Sequence, residues 1–155
     1  MRVTLVAVLM AAAALTAASV VAPGCASSRE DARPGTSPAT PPVVKGDAVL
    51  ALAFERHAQD LQVEGQGTVE RTLADDTEGG RHQRFVVRLA SGQTLLVVHN
   101  IDVAPRVEGL DEGDSVAFRG VYEWNAEGGV IHWTHQDPEG EHAPGWIRHE
   151  GKTYQ

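Results

Sequence analysis

The sequence predicts a mainly β fold, a small five-stranded barrel with one helix ahead of it. Three observations predict this. Residues 113–135 read as two long strands around a tight turn, with Val116, Phe118, Tyr122 and Trp124 on one parity and Gly120 in the middle of that row. Residues 62–73 alternate as well, with Val63, Gly65, Gly67, Val69 and Leu73 on one side and Glu64, Gln66, Thr68, Glu70 and Thr72 on the other. Period two with a polar side marks a half-buried strand. Residues 82–89 and 94–99 flank Ala90-Ser-Gly-Gln93, a hairpin signal.

Ahead of the strands the chain is of another kind. Met1-Arg2 is a short positive start, and Val3 to Val21 is an apolar run broken only by Thr4, Thr16 and Ser19. An export leader is expected over residues 1–25. Ala22-Pro-Gly-Cys25 resembles a bacterial lipobox, in which the cysteine is lipidated and the leader is cut off before it. Cys25 is therefore the expected lipidation site and the membrane the expected partner through it. It is the only cysteine, so no intramolecular disulfide can form. Residues 26–46 carry Pro34, Pro38, Pro41 and Pro42 and no apolar period, which reads as a disordered Pro/Ser/Thr linker. Residues 47–155 then form one small domain, held at the cell envelope and facing the periplasm or exterior.

Within that domain, Asp47 is the expected N-cap of a helix over 48–59, with Leu50, Phe54, His57 and Leu61 on its apolar stripe. The helix is expected to pack on the barrel, because its apolar face needs a partner. Gly65 and Gly67 on an inward row predict strong curvature or close backbone approach. Residues 74–81 are a polar loop. Leu95 and Val97 oppose Leu96 and Val98, so that strand is apolar on both sides. Residues 100–114 are a connection, and 139–155 a polar tail laid back over the strands.

Five short strands with a hairpin between the second and third suit a closed barrel that hides its edges. Leu110-x-x-Gly-Asp-x-Val-x-Phe-x-Gly120 resembles the fourth-strand entry of bacterial OB-fold proteins, and Val63-x-Gly-x-Gly-x-Val69 resembles their first strand. Six further motifs carry a resemblance over residues 62–155: Arg81-His-Gln-Arg-Phe85, Gly92-Gln-Thr-Leu-Leu96, His99-Asn-Ile-Asp102, Ala104-Pro-Arg-Val107, Tyr122-Glu-Trp-Asn125 and His132-Trp-Thr-His135. They resemble a bacterial exported family that is one of the numbered domains of unknown function. The resemblance implies an exported, single-domain protein and brings no activity with it.

Charge narrows the partners. Thirteen basic residues face 21 acidic ones, a net charge of −8, which becomes −9 once the leader takes Arg2 away. Such acidity repels phosphate backbones, so nucleic acid is disfavoured. Arg84, Arg88 and Arg119 are diluted by Glu64, Glu70 and Glu123 and read as a solvated face.

All seven histidines follow the linker. His82, His99, His132 and His135 sit in or beside strands, with Asp102 and Asp137 close behind two of them. Imidazole and carboxylate are ligand chemistry for zinc and other transition metals, so His99, His132 and His135 are the candidate divalent-metal set. Their spacing works against it, since residues three apart on a strand face opposite ways. Ser91-Gly92 is a hairpin tip rather than a nucleophile elbow, and Asp75, Asp76 and Glu78 lack the spacing of a calcium loop. No catalytic residue is assigned.

Trp124, Trp133, Tyr122 and Phe85 offer a stacking platform of the kind that takes bases or sugars, although aromatics at inward parity belong to the core. The candidate ligand-binding rim is His82, Arg84, His99, Asn100, Trp124, His132, Trp133 and His135. The expected function is an extracytoplasmic, membrane-tethered binding module for an unknown small ligand or envelope partner. The alternatives are a metal-assisted or acid–base hydrolase using the His cluster with Asp102 or Asp137, and a structural envelope protein.

Overall fold

The computed structural model describes residues 43–140 and 142–155. The expected leader, Cys25 and the linker as far as residue 42 lie outside the described residues. Among the described residues no helix is long and apolar enough to cross a membrane.

The first element, β1 (Val44–Lys45), falls within the expected linker. It pairs in parallel with β2 (Leu61–Asp76) through Val44↔Val63 and Lys45↔Glu64. The helix α1 (Asp47–Glu55) follows. Asp47 is not its N-cap. Gly46 takes the cap position at φ 93°, a conformation open to glycine, while the Asp47 carboxylate accepts a 3.0 Å hydrogen bond from the Ser91 amide. The helix also stops short of the expected residue 59. His57 and Asp60 have left-handed backbones at φ 51° and 52°, which turn the chain out of the helix and into β2. His57 and Leu61 therefore leave the helical stripe. Leu50 and Ala53 are its buried residues, with Phe54 only half-buried.

The 16-residue strand β2 serves two neighbours. Its first half pairs antiparallel with β5 (Ser115–Glu123), from Leu61↔Tyr122 to Thr68↔Ser115. The second half pairs with β3 (His82–Arg88), and a register shift between Val69 and Arg71 leaves Glu70 as an extra residue. Gly67 lies where β2 passes from one neighbour to the other. A Cβ there would stand 2.5 Å from Arg88 O and 2.6 Å from Val87 Cγ1, so only glycine allows the approach.

β3 pairs with β4 (Thr94–Asn100), and β4 runs parallel to the short β6 (Val130–His132), which returns antiparallel to β5. With β7 (Trp146–His149) and β8 (Lys152–Tyr154), the described residues form one eight-stranded sheet in the order β1-β2-β3-β4-β6-β5-β7-β8, and the β2–β5 pairing curls it into a partial ring. Inside lie Val63, Phe85, Val97, Phe118, Tyr122 and Ile131, with Leu50 of α1 against them.

Eight strands replace the expected five. The added ones come from stretches read as linker and tail: β1, β7 (Trp146–His149) and β8 (Lys152–Tyr154). The tail is an antiparallel hairpin whose β7 extends the sheet beyond β5, from Val116↔His149 to Arg119↔Trp146. Its inward residues Ile147 and Tyr154 join the core, although the tail is too short and mixed to show a period.

Candidate functional site

The strand expected over residues 130–135 ends at His132, because Trp133 has a left-handed backbone at φ 54°. That conformation is an outlier for a bulky residue. It breaks the alternation, so that Trp133 points outward with 42% of its surface exposed while Thr134 and His135 are both buried. Backbone packing behind the indole holds the turn. Gly145 fits against the carbonyls of Trp133 and Arg119 where a Cβ would overlap both, and its amide donates a 2.8 Å hydrogen bond to His135 O.

Three imidazoles surround the exposed indole. Ring centroids lie 4.1 Å away for His142 and 5.8 Å for both His132 and His135. His135 and His142 meet edge to face at 5.3 Å. Each is fixed in one tautomer by a carbonyl, which can only accept: His135 Nδ1 donates to Gln136 O at 2.7 Å, and His142 Nδ1 to Ala143 O at 3.1 Å. Asp137 accepts from the His142 amide at 2.8 Å and lies 3.7 Å from His142 Nε2. His142 escaped the sequence reading because it sits in the tail, and the Gly145–His135 contact that brings it back leaves no spacing signal.

His99 lies beneath this surface with no exposure. Its Nε2 donates to Pro105 O at 3.0 Å, so its Nδ1 accepts from the Thr134 hydroxyl at 2.8 Å. Burial pushes its pKa below the ordinary histidine value, against a smaller opposing effect of the Pro105 bond. Both ring nitrogens are spent on the protein, so His99 is not presented to a metal. Among the described residues no group of three or more His, Cys, Asp or Glu is placed to hold an ion.

The remaining rim residues do not join the cluster around Trp133. Trp124 packs on the end of α1, stacked on His57 at 4.0 Å and on Phe54 at 6.4 Å, and its amide donates to Ala58 O. Arg84 donates to Ala74 O at 3.1 and 3.0 Å. His82 and Asn100 are partners across β3 and β4. There His82 Nδ1 donates to Gly80 O, and Asn100 Oδ1 accepts from the Asp102 amide. Asp102 takes 2.7 Å bonds from both the backbone amide and Nε of Arg81, which hold its carboxyl below the usual range. A further pair, buried His149 donating to Asp114 at 2.9 Å, ties β7 to the entry of β5.

The basic residues expected on a solvated face are of two kinds. Arg88 pairs with Glu70 at 2.7 Å. Arg119 is half-buried and pairs with no described residue.

Residues 35–155 match the family model described as protein of unknown function (DUF3465), and the chain belongs to that family. No curated protein and no solved structure matches the chain.

Proposed function

We propose that this family member is a ligand-binding module on an OB-type barrel, and that its ligand stacks on Trp133. The observation that carries the reading is Trp133 itself. A large indole is left 42% exposed on a left-handed backbone, within 5.8 Å of three imidazole rings. A conformation of that kind costs free energy, and such outliers gather where a ligand is held. The flanking imidazoles supply polar edges beside the stacking face. The OB-type reading is supported by the circuit of pairings β2–β3–β4–β6–β5–β2. Export and a membrane tether at lipidated Cys25 are part of the proposal, and they draw support from the leader and lipobox pattern alone.

The test is a titration of the full-length protein with panels of sugars, sugar acids, aromatic acids and mononucleotides. Binding is followed by tryptophan fluorescence and by the indole proton resonance of Trp133. Trp146 is 9% exposed and Trp124 half-buried, so the exposed indole dominates quenching by a ligand in solution. At least one class is expected to shift Trp133, and the response should vanish in Trp133→Ala while that variant keeps its fold. A Trp133 resonance unmoved by every class would overturn the reading.

A further inference from the structure

Among the described residues five buried side-chain nitrogens lack a partner, and three of them lie on one outer face of the sheet, the other two being Trp124 Nε1 and His149 Nδ1. Gln62 on β2 is paired with Val121 on β5, and Val121 with His132 on β6. Residues directly opposite in antiparallel strands share a face, so the three form a row. Arg119 stands two residues from Val121 on the same strand and hence on the same face, diagonal to Gln62 and His132. Gln62 Nε2, Arg119 Nε and His132 Nε2 are all buried, and none has a hydrogen-bond partner among the described residues, the Glu123 carboxylate standing 3.7 Å from His132 Nε2. Gln62 is only 5% exposed.

The unpaired Arg119 is not explained by a shortage of carboxylates in a chain with 21 acidic residues. Four other arginines each have one: Arg81 with Asp102, Arg84 with Asp76, Arg88 with Glu70 and Arg106 with Asp75. Directly across from Arg119, Glu64 is engaged by Lys45 at 2.8 Å. On the other side Trp146 carries the Arg148 guanidinium over its ring at 4.0 Å. A half-buried charge and a buried amide left side by side are costly unless something completes them. Gln62 Nε2 and Arg119 Nε can only donate, and His132 Nε2 donates in the tautomer that carries its proton there, so the missing partner is an acceptor.

We propose that Gln62, Arg119 and His132 bind the carboxylate of a ligand whose ring stacks on Trp133. This rests on the Trp133 reading above. His132 joins the two halves, since its ring belongs to the outer row and also lies 5.8 Å from the indole. A planar guanidinium matches a carboxylate in a two-point fork. Glu123 borders the site 3.7 Å from His132 Nε2, and its charge works against multiply charged anions. The ligand class is therefore a ring bearing a single carboxylate, as in an acidic sugar or an aromatic acid.

The full-length protein is titrated with sodium glucuronate, sodium benzoate and glucose, followed by melting temperature and the Trp133 resonance. One of the two acids is expected to raise the melting temperature with concentration and to shift Trp133, and which acid does so identifies the ring. Glucose should bind more weakly than that acid. Arg119→Met should lose roughly ten- to a hundredfold in affinity for the acid, the scale of a hydrogen-bonded charge. Gln62→Glu places a carboxylate inside the site. It should raise the melting temperature without ligand and abolish the response to acid, which keeps the test independent of whether Arg119→Met folds.

Equal binding of glucose and glucuronate at Trp133, unchanged in Arg119→Met, would overturn the carboxylate site and leave the stacking platform standing. An acid-dependent rise in melting temperature that needs Arg119 while Trp133 stays silent would uphold the carboxylate site and sink the platform. No response to any of the three would overturn the proposal as a whole.

Discussion

The Thr134 hydroxyl donates a 2.8 Å hydrogen bond to Nδ1 of fully buried His99, one residue past the exposed Trp133. Through Nε2, His99 also fastens the 101–114 connection at Pro105 O. One neutral imidazole thus joins β4, the turn that presents the indole, and a long loop.

This arrangement sets a pH dependence. Burial holds the His99 pKa in the folded protein below its ordinary value, with the charges of His135 and His82 acting in the same direction. His132 is lowered too, again chiefly by burial, although Glu123 and Asp60 oppose it. The unfolded chain therefore takes up these protons first as pH falls. The stability is fully present above about pH 6.5 and is lost as pH drops from there through the folded values. Urea denaturation from about pH 7.5 down to pH 5 should show this decline. In His99→Gln the slope should flatten, since one of the two histidines no longer titrates. An unchanged slope would show that His99 does not contribute.

Gly145 has an ordinary backbone conformation, yet it is indispensable for packing. Its Cβ would overlap Trp133 O and Arg119 O, both rigid backbone atoms. Gly145→Ala should cost about 1–3 kcal/mol as the chain shifts to relieve the clash. It should also displace the Trp133 and His135 resonances, because the Gly145 amide bonds His135 O. A variant with wild-type melting temperature and unmoved resonances would show that the segment does not pack there.

On the helix, the cost falls on a residue other than the largest apolar one. Phe54 is half-buried against Trp124, while Leu50 is fully buried among the strands. Leu50→Ala should cost about 2–5 kcal/mol by denaturant unfolding, and Phe54→Ala less. The reverse order would mean that α1 packs through another face.

These residues mark what could be read from the chain and what could not. The inward rows of β2 and β5 were legible because alternation is imposed by backbone geometry wherever one face is buried. Gly120 was legible for the same reason: a Cβ there would meet Ile131 Cγ2 and Thr134 Cγ2 at 3.0 Å. The end of the helix was missed because the apolar spacing runs on through His57 and Leu61, and the left-handed turn at His57 has no glycine to announce it. Strand β6 ends at His132 without a sequence signal for similar reasons, since nothing in His132-Trp-Thr-His135 announces a positive φ at tryptophan. The spacing of His132 and His135 places them on opposite sides of a strand, whereas both lie 5.8 Å from the Trp133 ring, and His142 joins them from 7 residues further along the chain, beyond any local period. The lone Arg119 could not be recognised at all, because a charge looks paired or unpaired only once its cross-strand neighbours are known.

The left-handed backbone at Trp133 allows stability and function to be separated. With φ at 54°, any residue bearing a Cβ is strained there, whereas glycine is not. Replacing the indole removes its contact with His142, and Trp133→Ala and Trp133→Gly lose that contact equally. Their difference then reports the backbone alone. Trp133→Gly should be more stable than Trp133→Ala by roughly 1 kcal/mol, even though glycine carries the larger entropy cost on folding. Thermal unfolding of the two variants measures this directly. If alanine proves the more stable, the turn is not left-handed in solution, and the exposed indole loses the conformational cost that argues for its use. If glycine is the more stable and neither variant answers a ligand that shifts the wild type, the strained tryptophan is retained for binding at the expense of stability.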